Sequence, residues 1–356
     1  MKNIKLKGSY NEAIIYTNKL DDNTKEQLMD VLNNEWMANE VIRVMPDVHF
    51  GFGVPIGYTQ TLSNKVVPNF VGVDIGCGML VTKLSRDPSY PINFDRLEEV
   101  IKTEVPSGFS VFNQAQKLDL NLEEIIAPIN NDRAKKSLGT LGGGNHFIEV
   151  NKGTSGLYLV IHSGSRHLGV EVCNYWTSKI DTNKGYLDGD DYDGYLNDMK
   201  IAQKFASLNR KAMRDNIFKA MKFNIIEEFE TIHNYIDLEN MILRKGAISA
   251  KLNEIALIPL NMKDGSLIVR GKGNKDWNYS APHGAGRVMS RNEAKSKIPL
   301  KDFHYAMRDV WTKSVSNKTL DESPFVYKDK KDIIDFISDT VDVIEYMKAV
   351  YNFKAN

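Results

Sequence analysis

Cysteine is nearly missing from this chain: Cys77 and Cys173 are the only two in 356 residues. Two thiols in unlike contexts cannot build a disulfide framework, which points to a reducing compartment. A surplus of charge is missing too, since 46 Lys and Arg balance 46 Asp and Glu. Bulk electrostatics therefore gives no argument for a polyanion partner, and any nucleic-acid site has to be a local patch. No apolar run approaches the roughly 20 residues that span a bilayer. The opening MKNIKLKGSYNEAIIYTNKL has lysines but no uninterrupted apolar region and no small-residue cleavage site, so no signal peptide is expected. These absences predict a cytoplasmic protein with no membrane partner. Repeats, low-complexity tracts and Pro/Ser-rich linkers are also absent. Although roughly 100–200 residues per domain would allow two, a single domain over residues 1–356 is the expectation.

What is present is glycine, 25 residues in all, with scattered glycine-rich segments at 51–57, 72–78, 139–144, 164–169, 265–273 and 284–286. Short apolar runs lie between these segments, at 66–73, 157–161 and 267–269, and read as strands meeting turns. The texture changes over 193–230. There Leu196, Met199, Ala202, Phe205, Ala206, Ala212, Met213, Ile217 and Met221 recur at helical spacing. One long helix or two in series is predicted, ending near His233 and packed outside the β part, with another amphipathic stretch at 331–348. The fold class is α+β: helical segments surround a glycine-cornered β-sheet core.

Seven histidines occur, most in conspicuous settings. His49 lies in MPDVHFGFGVPIG, His146 in LGTLGGGNHFIEV, His162 in VIHSGSRHLG and His233 in TIHNYI, while Cys77 follows Asp74 in VGVDIGCGM. A buried, hydrogen-bonded histidine accounts for any one of them. Together, Asp74, Cys77, His146, His162 and His233 make five candidate ligands, more than one tetrahedral site uses. A thiolate between two cations could bridge them. Mixed N, O and S ligation suits Mn²⁺ or Zn²⁺ better than Mg²⁺.

His283 differs from the others. In SAPHGAGRVMSR it is followed by the backbone amides of Gly284, Ala285 and Gly286, with Arg287 and Arg291 close behind. Exposed amides and guanidiniums are the surroundings of a phosphate. A neutral imidazole beside a metal-polarised phosphate is a competent nucleophile at phosphorus. Arg166, at the end of HSGSR, is a candidate clamp for developing phosphoryl charge.

DIGCGM, GGGNHFIE, HSGSR, HN, RKGA and HGAGR follow one another here in the order seen in the RtcB family of RNA ligases, which the chain resembles from about residue 40 to its end. The resemblance implies an RtcB-like sheet core with a deep cleft. It implies a 3′-phosphate/5′-hydroxy nucleic acid ligase that uses GTP and two Mn²⁺ to join an RNA 3′-phosphate or 2′,3′-cyclic phosphate to a 5′-hydroxyl. Asp74, Cys77 and His146 would hold the first manganese, with Cys77 bridging to a second completed by His162 and His233. His283 would take GMP from GTP and pass it to the RNA 3′-phosphate, giving an RNA-(3′)pp(5′)G intermediate that the 5′-hydroxyl resolves. The guanosine site would comprise Asn145, His146, Phe147, Glu149, Asn234, Ser266, 283–286 and Lys354. Asp47 and His49 would stand behind the ligands or at the RNA end.

Pro282 stands where relatives often carry cysteine, and the chain is shorter than the best-known members. Both RNA repair and tRNA splicing are therefore open as its role, and an accessory activator is allowed for. A rival reading of the same ligands is a binuclear metal-dependent phosphoesterase that activates water at RNA ends. That chemistry needs neither His283 nor a guanine pocket.

Overall fold

The computed structural model describes residues 3–85 and 91–355. Its largest sheet is antiparallel throughout and runs, in spatial order, Ile255–Asn261, Gly265–Gly271, Val341–Lys354, Phe147–Lys152, Leu157–Ser163, Gly78–Leu84 and Ile225–Ile232. The sheet curls far enough for its first and last strands to meet, where the Leu257 amide donates to Thr231 Oγ1 at 2.9 Å. Strand side chains alternate between faces. One set, with Met79, Val81, Tyr158, Val160, Leu257, Ile268 and Met347, fills the inside of the curl. The other, with Leu80, Ile148, Val150, Leu159 and Ile161, packs against Leu97 and Ile101 of helix Phe94–Glu104 and Met213 and Ile217 of helix Gly189–Met221.

A second sheet runs Ile4–Lys7, Glu12–Ile15, Ile42–His49, Ile56–Thr61, Ile242–Lys245 and Asn234–Asp237. It is antiparallel except where Glu12–Ile15 lies parallel to Ile42–His49. A short ladder, Ala247–Ser249 with Ser280–Pro282, completes the β structure. The α+β class read from the sequence holds. No helix among the described residues is long and apolar enough to cross a membrane.

Helix Gly189–Met221 is a single rod of 33 residues, and it carries polar groups into the core. The Asn209 side chain accepts from the amides of Gly139 and Thr140 and donates to Thr140 and Gly164. The Arg210 guanidinium donates to the carbonyls of Gly76 and Ser163 and to Glu230. Buried polar groups of this kind are stable because every such bond replaces one to water. Three glycine-rich loops are thereby tied to one rigid element.

Three sequence expectations need correction. The helical texture does not reach 230: Lys222 turns left-handed at φ 55°, its amide capping Phe218, and Ile225–Ile232 is the edge strand. His233 accordingly lies between two strands. Residues 66–73 hold no strand, because Pro68, with its fixed φ and no N–H, starts the short helix Pro68–Val71. The stretch 331–348 splits into helix Lys330–Ile337 and strand Val341–Lys354. Its β-branched Val341, Val343 and Ile344 run along strand Gly265–Gly271, and the strand's second half, from Lys348, pairs with Phe147–Lys152.

Candidate active site

Strand register gathers the ligand candidates. His162 lies opposite both Met79 and Phe147, and Gly78 lies opposite Ile232. Cys77, His146 and His233 each flank one of those pairs, so four side chains from three distant segments emerge at one end of the sheet. The His233 amide donates to the Cys77 carbonyl at 2.9 Å. Asp74 joins them from the turn before Cys77. A Cβ on Gly164 would overlap its Oδ1, so glycine is required there for the carboxylate to reach the cluster.

The side chains form two triads that share one sulfur: Asp74, Cys77 and His146, and Cys77, His162 and His233. Cys77 Sγ is 3.5 Å from His146 Nε2 and 3.2 Å from His162 Nε2. His162 Nε2 and His233 Nε2 are 3.4 Å apart, and His146 Nε2 is 3.1 Å from Asp74 Oδ2. Ligand atoms about 2.0–2.3 Å from a common tetrahedral cation lie about 3.5 Å from one another, so the spacing fits a cation in each triad. The imidazoles are oriented for the purpose. His146 Nδ1 donates to the Leu141 carbonyl and His162 Nδ1 to that of Asn145, leaving both Nε2 atoms to present lone pairs. Burial holds the His162 and His233 rings well below their ordinary pKa. Burial and then Asp74 push the Cys77 thiol well above its own. The imidazoles are thus ready ligands, while the thiol loses its proton only to a cation.

His283 follows the short ladder at Pro282, and its ring centroid lies 5.0 Å from that of His233. Its Nδ1 is 2.7 Å from Asp47 Oδ2, which also accepts the His283 amide at 3.2 Å. Asp47 is fully buried. The pair fixes the tautomer: Nδ1 carries the proton and Nε2 the lone pair.

A cleft of about 760 Å³ opens over these groups. Of the residues singled out from sequence, it is lined by His49, Asp74, Cys77, Asn145, Phe147, Glu149, His162, His233, Asn234, His283, Gly284, Ala285, Gly286, Arg287, Arg291 and Lys354. His146 and Asp47 lie just behind its wall. Ser266 is buried and does not line it, although neighbouring Gly265 does. Lys354 Nζ is 2.8 Å from Glu322 Oε2 and sits over the Phe147 ring. Burial raises the Glu149 carboxyl to about 7, against the pull of its Asn352 and Asn151 amide donors.

The arginines depart from expectation. Arg287 donates to the Asp321 carbonyl and lies 3.7 Å from Glu322, while Arg291 pairs with Asp321 at 2.6 Å and Glu322 at 2.7 Å. Both guanidiniums are therefore engaged by carboxylates and do not stand free beside His283 as a phosphate cradle. Arg287 and Arg291 still line the cleft, whereas Arg166 does not. Its guanidinium donates to Gly108 O and Thr140 Oγ1 and is packed so closely on Gly142 that a Cβ there would overlap it. Sequence reading missed Glu322, Asn352, Asn209 and Arg210. Glu322 sits in TLDESPF, which carries no local signal. Asn209 and Arg210 lay inside a helical pattern that reads as surface.

Residues 27–130 and 125–355 match the family described as tRNA-splicing ligase RtcB. The chain is similar to the RNA-splicing ligase RtcB of Escherichia coli K12, at 33% identity across 93% of this chain and 94% of that protein. It is also similar to the tRNA-splicing ligase RtcB of Aeropyrum pernix, at 28% identity over 80% of this chain and 82% of the relative. That of Archaeoglobus fulgidus is 26% identical over 83% of each.

Proposed function

This chain belongs to the tRNA-splicing ligase RtcB family, and on that premise we propose that it joins RNA 3′-phosphate or 2′,3′-cyclic phosphate ends to 5′-hydroxyl ends, using GTP and two Mn²⁺. The observation that carries this reading is the Asp47–His283 pair standing beside two ligand triads that share one thiol. Hydrolysis by metal-activated water needs no such imidazole.

Asp74, Cys77 and His146 would hold one cation and Cys77, His162 and His233 the other. Bound there, the ions would draw charge from phosphoryl oxygens. Asp47 takes the Nδ1–H of His283 and leaves Nε2 its lone pair. That lone pair forms a P–N bond to the α-phosphorus of GTP as the P–O bond to pyrophosphate breaks. At a 2′,3′-cyclic end, water first adds to phosphorus and the P–O2′ bond breaks; an oxygen of the resulting RNA 3′-phosphate then takes the guanylate from Nε2. The 5′-hydroxyl oxygen attacks the RNA phosphorus, and GMP leaves.

Asn145, Phe147, Glu149, Asn234, 284–286 and Lys354 would surround the guanosine, with Gly265 in place of the buried Ser266 and Glu322 keeping the Lys354 ammonium in place. Arg166, anchored through two of its N–H groups, has others for the RNA phosphate. The setting is the cytoplasm, the task RNA repair or tRNA splicing, with or without an accessory activator.

The test is to incubate the protein with Mn²⁺ and GTP labelled at the α-phosphate, then run a denaturing gel. Wild type retains acid-labile label and His283→Ala does not. Absence of covalent label in wild type with any divalent metal would favour the phosphoesterase reading.

A further inference from the structure

Asp47 holds two imidazoles, and the steps above use only one. While its carboxylate takes the Nδ1–H of His283, its main-chain carbonyl lies 2.9 Å from His49 Nδ1. A carbonyl can only accept, so His49 Nδ1 is the protonated nitrogen and Nε2 carries the lone pair. The ring lines the same cleft as His283 and the ligand triads. Among the described residues no hydrogen-bond partner meets its Nε2. Its position is fixed on three counts. It ends strand Ile42–His49, pairs with Ile56 of the next strand, and precedes Phe50, which also lines the cleft.

On the ligase reading, one proton remains without a destination: that of the RNA 5′-hydroxyl when its oxygen attacks the activated 3′ end. We propose that His49 Nε2 accepts it, making His49 a catalytic base of the sealing step. The O–H bond breaks and the proton passes to Nε2. The oxygen's electron pair forms the new P–O bond, and the bond to GMP breaks with the leaving phosphate keeping its electrons. No further reactant is needed. Burial, followed by the nearby His283 and Arg287, lowers the His49 pKa to about 4, so the ring is neutral and able to accept. Phosphates of GMP and RNA in the cleft would add negative charge and raise its basicity toward neutrality, where a base works best.

This inference rests on the ligase reading, and the test separates the two. Label on His283 after incubation with Mn²⁺ and α-labelled GTP reports the first step. RNA bearing a 3′-linked guanylate, prepared beforehand, reports sealing alone when a 5′-hydroxyl RNA is added. In His49→Ala and in the polar His49→Gln, sealing should fall by about 10²-fold or more relative to the adduct yield of the same variant. Free imidazole should restore part of it in His49→Ala. Sealing that falls no further than adduct formation, or that imidazole leaves unchanged, would overturn the assignment. Wild type that takes no label and seals nothing would remove the ligase reading and this one with it.

Discussion

Among the described residues, Cys77 is the one whose single ligand atom belongs to both triads. Its sulfur lies within 3.5 Å of His146 Nε2 and His162 Nε2, whereas His233 belongs to one triad. Cys77→Ala should therefore release both ions, and His233→Ala should release one, as metal content per purified chain would show. Equal losses in the two variants would rule out a shared sulfur. The same reasoning separates the histidines by what their second nitrogen does. In His146 and His162 it meets a backbone carbonyl, which turns Nε2 toward the shared thiol. In His283 it meets a buried carboxylate, which strengthens the ring as a nucleophile.

At the scale of elements, the site is a matter of strand ends and the loops that leave them. Gly164 joins strand Leu157–Ser163 to helix Arg166–Ser178, and its missing Cβ is the space that Asp74 occupies. Gly164→Ala should push the Asp74 carboxylate aside and lower the metal content by one ion per chain while His162 and His233 keep theirs. Full occupancy of both sites in that variant would show that Asp74 is not a ligand. Helix Gly189–Met221 works at the same scale, since Asn209 and Arg210 bond to the loops at 139–140, 163–164 and 76. The helix is better described as the backing of the active site than as a cover for the sheet.

Across the whole molecule, Lys354 and Glu322 tie the final strand of the large sheet to segment Asn317–Glu322. Burial alone would raise the Glu322 carboxyl, but Lys354 and Arg291 outweigh it and bring it to about 2. A depressed carboxyl stabilises the folded state fully above its unfolded value of about 4.3. That contribution fades as pH falls from there toward 2. Urea unfolding of wild type and Glu322→Gln should differ most at pH 6 and above and converge near pH 2. A constant difference across that range would deny the ion pair its role. The balanced net charge, 46 against 46, and the carboxylates that engage Arg287 and Arg291 leave few free cations at the cleft. The slope of log affinity for single-stranded RNA against log salt should be about −2, equivalent to roughly three neutralised phosphates. A slope steeper than about −5 would reveal an extended basic track.

By itself the sequence determined the chemistry on offer. Thiol, carboxylate and imidazoles are properties of single residues, and glycines in DIGCGM, GGGNH and HGAGR mark where backbone and ligand come close. The α+β class and the long helix were legible for the same reason, being local in period. What the tertiary structure decided was pairing. Asp47 and His283 are 236 positions apart, and no spacing rule connects them. Nor could spacing foretell that Asp321 and Glu322 would engage the two arginines beside the nucleophile. Register also lay beyond reach: Ile225–Ile232 reads as helix until the edge of Gly78–Leu84 offers it hydrogen bonds. Side-chain chemistry is carried by each residue wherever it stands, but partnership depends on distances that only the folded sheet sets.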